Sequence, residues 1–468
     1  MIHALLLAAV LATPAPSPSP RTLAPLPVPR AQPGVPQTVT LQQAIDIAVA
    51  KSPVLASARA NYELTQIPVE LARTAIFPNV SAIGSLTRST GGRSGGGSSG
   101  GTGAGTGGTG GTNGGSFGSS SGFTSKGLNL ELRQLIFDGG KVAAQIHQAR
   151  ANAVGGAQTY QRSLETLSLN VAQAYYTALQ AAATVQVDRE VLRQAQTNEN
   201  LTRAQVRAGT SPRVDLVTAH VPTVQAQVQL TRDRGAQASA LGAFSNTIGL
   251  DPTTLVQPAS PPQANPSALL VTVLPYGEAV TRALALRPDY LSAQNAILAA
   301  RYNVQAQRAG IFPTINGTAS LGTNSTLPSG GGFVSGSSVG ANVTLPIFDQ
   351  GLTRAQTQQA QAQLGLAQAN ADQTRLNVEL NVQQALVGIA SNQAAVTQAQ
   401  AAVTSAAESL RGAQAQYRAG VTTLVTLLQA QTNYTQAQTT LLNAIYTLRQ
   451  AEQTYIYALG ESSINPTP

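Results

Sequence analysis

The chain carries the same short motifs twice, in the same order, and the two sets keep register over more than two hundred residues. Arg73-Thr74-Ala75-Ile76-Phe77-Pro78 returns as Arg308-Ala309-Gly310-Ile311-Phe312-Pro313. Leu135-Ile136-Phe137-Asp138-Gly139-Gly140 returns as Pro346-Ile347-Phe348-Asp349-Gln350-Gly351, and Arg207-Ala208-Gly209 as Arg418-Ala419-Gly420. Phe137 to Gly209 and Phe348 to Gly420 are both 72 residues, whereas Phe77 to Phe137 is 60 and Phe312 to Phe348 is 36. The surplus of 24 lies in one Gly/Ser tract, residues 89–122. This pattern reads as a tandem duplication with one elastic loop, so the fold is built of two like halves.

Each half contains a long heptad seam. Val382, Ile389, Val396, Val403, Leu410 and Tyr417 recur every seven residues, and the positions 211 earlier are Val171, Ala178, Val185, Leu192, Glu199 and Val206. Only Glu199 breaks the apolar pattern. Small residues such as Ala385, Ala406, Ala407 and Ala413 lie between the larger ones and allow close backbone approach. A sustained heptad winds helices left-handedly on their neighbours, although an ordinary bundle core would show the same seam. Length separates the two. Asp138 to Ala208 is 71 residues, roughly 105 Å as helix. Pro212–Ile248 and Leu41–Ala75, with 37 and 35 residues, match that length end to end. The second copy repeats the arrangement with Asp349–Ala419, Val421–Leu459 and Tyr276–Ile311. The prediction is long rods turned at Gly209 and Gly420, with Thr40 capping the arm from Leu41, Pro53 and Pro288 inside the shorter arms, and Pro222 bending one return arm.

Between each Phe-Pro and each Phe-Asp the apolar period changes to two. Leu128, Leu130 and Leu132 alternate with Asn129, Glu131 and Arg133, and Val339, Ala341, Val343 and Leu345 with Ser338, Gly340, Asn342 and Thr344. Val80, Ala82, Gly84 and Leu86, and later Ile315, Gly317, Ala319 and Leu321, give weaker partners. Each strand is about ten residues long, enough for a tilted strand to cross a bilayer. Four strands do not close a membrane barrel, since the smallest have about eight. They form either a soluble sheet or part of a barrel shared between copies. Charged residues are only 10% and aromatics 4%, with no Cys or Trp, which favours the shared barrel and excludes disulfides, thiolate metal sites and a Cys-linked lipid anchor.

Met1–Ala12 is a short apolar run ending in small residues before Thr13-Pro14 and reads as a signal peptide. No other stretch approaches the roughly 20 apolar residues of a membrane helix. The net charge of +8 comes from singly scattered basic residues, without runs or interleaved aromatics, so nucleic acid is not an expected partner. His3, His147 and His220 are isolated, no catalytic order or ligand cluster is visible, and the Gly tract lacks the Lys and context of a phosphate loop. No enzyme activity, cofactor or metal is expected. The expected organisation is a signal peptide at 1–12, a Pro-rich lead-in at 13–37, a first repeat at 38–250, a connector at 251–274, a second repeat at 275–460 and a tail at 461–468. Strands are expected at about 79–88, 127–137, 314–323 and 337–347, with a Gly/Ser loop at 89–126.

In this order and spacing, twice over, the Ala-rich helix ending in Phe-Pro, the strand hairpin, the Phe-Asp-x-Gly opening and the Arg-Ala-Gly turn resemble the TolC family of outer-membrane efflux proteins. The resemblance covers about residues 38–460. It implies a mixed α and β membrane protein: coiled-coil hairpins forming a periplasmic α-barrel, and four strands per chain contributing to a transmembrane β-barrel shared by a homotrimer. It also implies an outer-membrane channel that is the exit duct of a tripartite efflux pump or type I secretion system, joined by a periplasmic adaptor to an inner-membrane pump. Its helical part would lie in the periplasm and its strands in outer-membrane lipid. Arg207, Gly209, Thr210, Arg418, Gly420, Val421 and Thr422 would then form the adaptor-docking tips. Asn129, Glu131, Arg133, Asn342 and Thr344 would line the barrel lumen. The periplasmic entrance would involve Glu408, Arg411 and Tyr417, and here the chain departs from the family. Instead of an acidic ring, the stretch before the second tip offers Glu408 with Arg411 and Arg418 beside it, which favours anionic or neutral cargo. A periplasmic or surface coiled-coil protein without a channel is the alternative that the heptads alone would also permit.

Overall fold

The computed structural model describes residues 37–89, 123–254, 256–259, 268–327 and 334–461. The expected signal peptide, nearly all of the lead-in, the Gly/Ser tract from 90 to 122 and the tail beyond 461 lie outside them. The chain begins with β1 (Gln37–Val39), then α1 (Leu41–Lys51) and α2 (Pro53–Thr74). Thr40 caps α1, its hydroxyl accepting from the Gln43 N–H while the Gln43 side chain returns to the Thr40 N–H. The single arm expected over Leu41–Ala75 is two helices. Pro53 has no N–H to continue α1, and it restricts Ser52 to extended backbone, so Pro53 becomes the first residue of α2.

Strands β2 (Asn79–Ser89) and β3 (Phe123–Phe137) lead into α3 (Lys141–Arg207), a helix of 67 residues, and α4 (Arg213–Thr247) returns alongside it. Pro222 falls inside α4 without ending it. After β4 (Val256–Pro258), which pairs in parallel with β1, the second half runs through α5 (Tyr276–Leu286) and α6 (Pro288–Arg308), divided at Arg287 just as α1 and α2 are at Ser52. Strands β5 (Thr314–Leu327) and β6 (Val334–Thr344) lead into α7 (Leu352–Arg418), again 67 residues, and α8 (Leu424–Leu459). The 35 residues of α4 with the 11 and 22 of α1 and α2 equal α3 in length to within one residue. No helix among the described residues is long and apolar enough to cross a membrane.

The heptad seam is the core. Val171, Ala178, Val185, Val382, Ile389 and Val396 are all at most 2% exposed. Around α3 and α7 the helices lie in one layer, α4–α3–α8–α7 toward the turns and α2–α3–α6–α7 toward the strands. At mid-length a second set of contacts ties the halves together. The connector packs on α8, where Leu270 N–H donates to Glu452 and Leu274 N–H to the Tyr455 hydroxyl. Glu452 is fully buried and paired with Arg449 at 2.9 Å, and Arg449 also donates to Ala268 O at 3.0 Å. Nearby, Arg162 lies over the Tyr457 ring, pairs with Glu165 at 2.8 Å and sits 3.8 Å from Asp289, while Arg287 pairs with Asp289 at 2.6 Å. Burial pushes the Glu165 carboxyl up. Asp289 is held down, because Arg287 and then Arg162 outweigh the effect of burial.

The four longer strands form one antiparallel sheet in the order β2-β3-β5-β6. β3 and β5 are longer than expected, since residues 123–126 and 324–327 continue them, whereas β6 is displaced toward its start: 334–336 join it and the expected residues 345–347 fall outside it. After each Phe-Asp the backbone returns to helix. There Asp138 accepts from the Gly140 and Val142 N–H groups at 3.0 and 2.6 Å, and Asp349 from Gly351 and Thr353 at 3.0 and 2.8 Å. Each carboxylate satisfies orphan donors at the start of a long helix.

Candidate functional site

Two regions concentrate the residues singled out by the sequence, one in the sheet and one at the far ends of the rods. In the sheet, the register aligns Val80, Leu132, Ala319 and Val339 across all four strands. The next row on the opposite face is Ser81, Glu131, Ser320 and Ser338. Asn129, Glu131 and Arg133 share that second face through the period of two. Asn342 and Thr344, paired with Asn316 and Thr314, share it as well. All five residues expected in the lumen thus fall on one polar face, where Glu131 and Arg133 pair at 2.7 Å and the Ser320 and Ser338 hydroxyls meet at 2.8 Å.

The other face is apolar and uncovered in the single chain. Val339 is 80% exposed, and at the junction with the helices Ile347 and Phe348 are 93% and 84% exposed, with Phe77, Phe137 and Phe312 also outward. The outer strands β2 and β6 each pair on one side only among the described residues.

At the far ends, the two turns are the same structure. Gly209 has φ 75° and Gly420 φ 73°. Gly209 N–H donates to Val206 O and Thr210 N–H to Gln205 O, and Gly420 and Val421 repeat this onto Tyr417 and Gln416. This is the Schellman pattern, in which a left-handed residue closes the last helical carbonyls. Tyr417 is half-buried, and its hydroxyl donates to Gln205 at 3.2 Å, so the two turns are joined side by side. Tyr417 and Arg418 line a cleft of about 340 Å³ between α3, α7 and α8. Glu408 and Arg411 do not line it. They pair with each other at 2.9 Å on the exposed side of α7.

Two polar clusters in the first hairpin were not legible as sites. Glu199, the exception in the heptad, is only 7% exposed and is held by Arg203 and, from α4, by His220 Nδ1 at 3.2 Å. Higher in the same hairpin, burial and the facing Asp233 carboxyl raise Asp188 to about 7, and its Oδ2 has no hydrogen-bond partner. The broken heptad marked Glu199, whereas Asp188 meets Asp233 across two helices and left no local signal.

Residues 44–250 and 279–461 match the sequence profile of the family described as outer membrane efflux protein. The chain belongs to that family. It is similar to Protein CyaE of Bordetella pertussis, 27% identical over 430 residues that cover 90% of this chain and 84% of that protein. It is also similar to the outer membrane efflux protein BepC of Brucella suis, 24% identical over 72% of each chain. The solved structure of CusC shares the fold with a TM-score of 0.76 at 21% identity, covering 90% of this chain and 92% of that one. The helices and strands described above are therefore the fold of an outer-membrane channel.

Proposed function

We propose that this outer membrane efflux protein is the exit duct of a tripartite efflux pump or type I secretion system, with three copies closing one channel. The observation that carries the reading is an open sheet with an uncovered apolar face. Backbone groups at an unpaired edge in lipid cost several kcal/mol each, so strands in a bilayer close into a barrel. Three copies would bring β6 of one chain beside β2 of the next in twelve strands. The apolar face would then meet lipid, the polar face with Asn129, Glu131, Arg133, Asn342 and Thr344 would line a wet lumen, and the Phe residues at the junction would form the aromatic girdle of a membrane interface.

The helical layer supports the same closure. Val214, Val217, Val221, Val224 and Val228 form an exposed stripe on α4 at heptad spacing, and Leu366, Leu376, Leu380 and Val387 are exposed on α7, at the opposite edge of the layer. Adjoining these edges between copies would complete an α-barrel in the periplasm. The two repeats, at 38–250 and 275–460, would supply one pseudo-equivalent hairpin each, with the connector at 251–274 between them. A periplasmic adaptor would dock on the tips around Gly209 and Gly420 and link the duct to an inner-membrane pump. The duct itself would be passive, without catalysis or cofactor.

Planar-bilayer conductance and mass of the detergent-extracted protein test this together. A trimer with small discrete conductance steps is the expected result. A soluble species that never inserts would leave a coiled-coil structural protein in its place.

A further inference from the structure

The hairpin tips carry an imbalance of charge that their own structure leaves uncompensated. Residues 200–220 and 411–431 contain five arginines, Arg203, Arg207, Arg213, Arg411 and Arg418, and one carboxylate, Asp215. Arg203 and Arg411 pair with Glu199 and Glu408 just behind the tips. Arg207, Arg213 and Arg418 are exposed and have no ion pair among the described residues. Arg207 and Arg418 sit in the last turns of α3 and α7, where a cation suits the helix dipole. Arg213 has no such account. It is the first residue of α4, at the end where the dipole disfavours a cation.

The Gln205–Tyr417 bond holds both turns at one end of the molecule, so Arg207, Arg213 and Arg418, at the adjoining ends of α3, α4 and α7, lie at that same end. Val421 and Val425, each at least 66% exposed, lie at the second tip beside them. Resting on the docking reading above, we propose that the tips bind a helical turn bearing carboxylates beside small apolar side chains, so that the adaptor segment is acidic. Arginine forks pair with carboxylates through charge-assisted bonds, and the valines would cover the apolar part of such a turn. Anionic lipid is the weaker fit, because membrane-surface sites are built from clusters of four to eight basic residues, and here three stand beside two valines.

The test is photo-crosslinking in cells from a benzophenone amino acid at Val425, in the otherwise native chain and in an R207Q/R213Q/R418Q variant and its R207K/R213K/R418K counterpart. The expected product is a periplasmic protein segment with net negative charge. Its yield should fall about tenfold or more in the Gln variant, as one lost charge-assisted bond alone requires, and largely return in the Lys variant. A neutral or basic crosslinked segment, a yield indifferent to the Gln changes, or a product with phospholipid alone would overturn the proposal. Conductance is measured on the same preparations. Normal conductance with no crosslink would remove tip docking and this proposal with it, whereas absent conductance would remove the duct reading irrespective of what the tips bind.

Discussion

The Phe-Asp-x-Gly segments show how much a single residue decides. In the first, Gly139 has φ 71°, and a Cβ there would lie 2.5 Å from the Phe312 Cβ. In the second the equivalent Gln350 adopts φ 56°, a conformation that costs a side-chain-bearing residue roughly 1 kcal/mol or more. Gln350→Gly should therefore raise stability by up to about 1 kcal/mol, while Gly139→Ala should lower it by more, read from thermal unfolding of the two variants. A destabilised Gln350→Gly protein would show that the glutamine side chain contributes more than the backbone strain removes. Asp188 makes a second residue-scale prediction, in its pH dependence. Its folded pKa of about 7 lies above the ordinary carboxylate value of 3.8. Folding therefore favours the protonated form, so its relative stabilisation is complete below about pH 4 and is lost as pH rises to about 7. Asp188→Asn should flatten the stability profile between those limits and be most stabilising at alkaline pH. A profile unchanged by the substitution would place the titration elsewhere.

At the scale of elements, the two Schellman turns and the buried mid-length pair are the parts most exposed to single changes. A Cβ at Gly420 meets nothing within 4 Å, so the cost of Gly420→Ala is backbone conformation alone, roughly 1–2 kcal/mol, and the variant should unfold earlier yet remain helical. Glu452→Ala is expected to cost more, about 3–5 kcal/mol, because it leaves the Arg449 charge buried without its carboxylate and takes the acceptor from Leu270 N–H. Denaturant unfolding of the detergent-solubilised protein would show the difference. A loss below about 1 kcal/mol would mean that water reaches the pair. The rods, their turns and the alternating strands were legible because each has a local signal: a period of seven for the helices, a period of two for the strands, and a glycine, Gly209 or Gly420, at the left-handed position of each turn. The division of the shorter arms was legible only in part. Pro53 and Pro288 were visible, but whether a proline bends a helix or begins a new one depends on the residue before it, and Ser52 and Arg287 are both extended. The parallel pairing of β1 with β4 left no signal, since three-residue strands more than two hundred residues apart have no period to read.

For the whole molecule, the exposed surfaces form a consistent set of edges. The expected lumen residues fell on one sheet face because register follows from alternation, and that was readable in the sequence. The mid-length clusters of Arg162, Asp289 and Tyr457 were not, because they join helices from different halves. What the single chain leaves open is also informative. Strand β2 and helices α2 and α4 lie along one margin, β6 and α7 along the other, and apolar side chains are exposed on both. Removing apolar surface from water favours association, and the stripe of five part-exposed valines on α4 offers such a surface to a neighbouring copy. Replacing Val217 and Val224 by Asp should reverse that gain at every subunit boundary while leaving α3, against which the other side of α4 packs, undisturbed. The expected V217D/V224D protein keeps its helix content, migrates as a monomer and gives no conductance. A variant that remains trimeric and conducting would show that α4 does not face a neighbouring copy, and closure would then have to come from the strands alone.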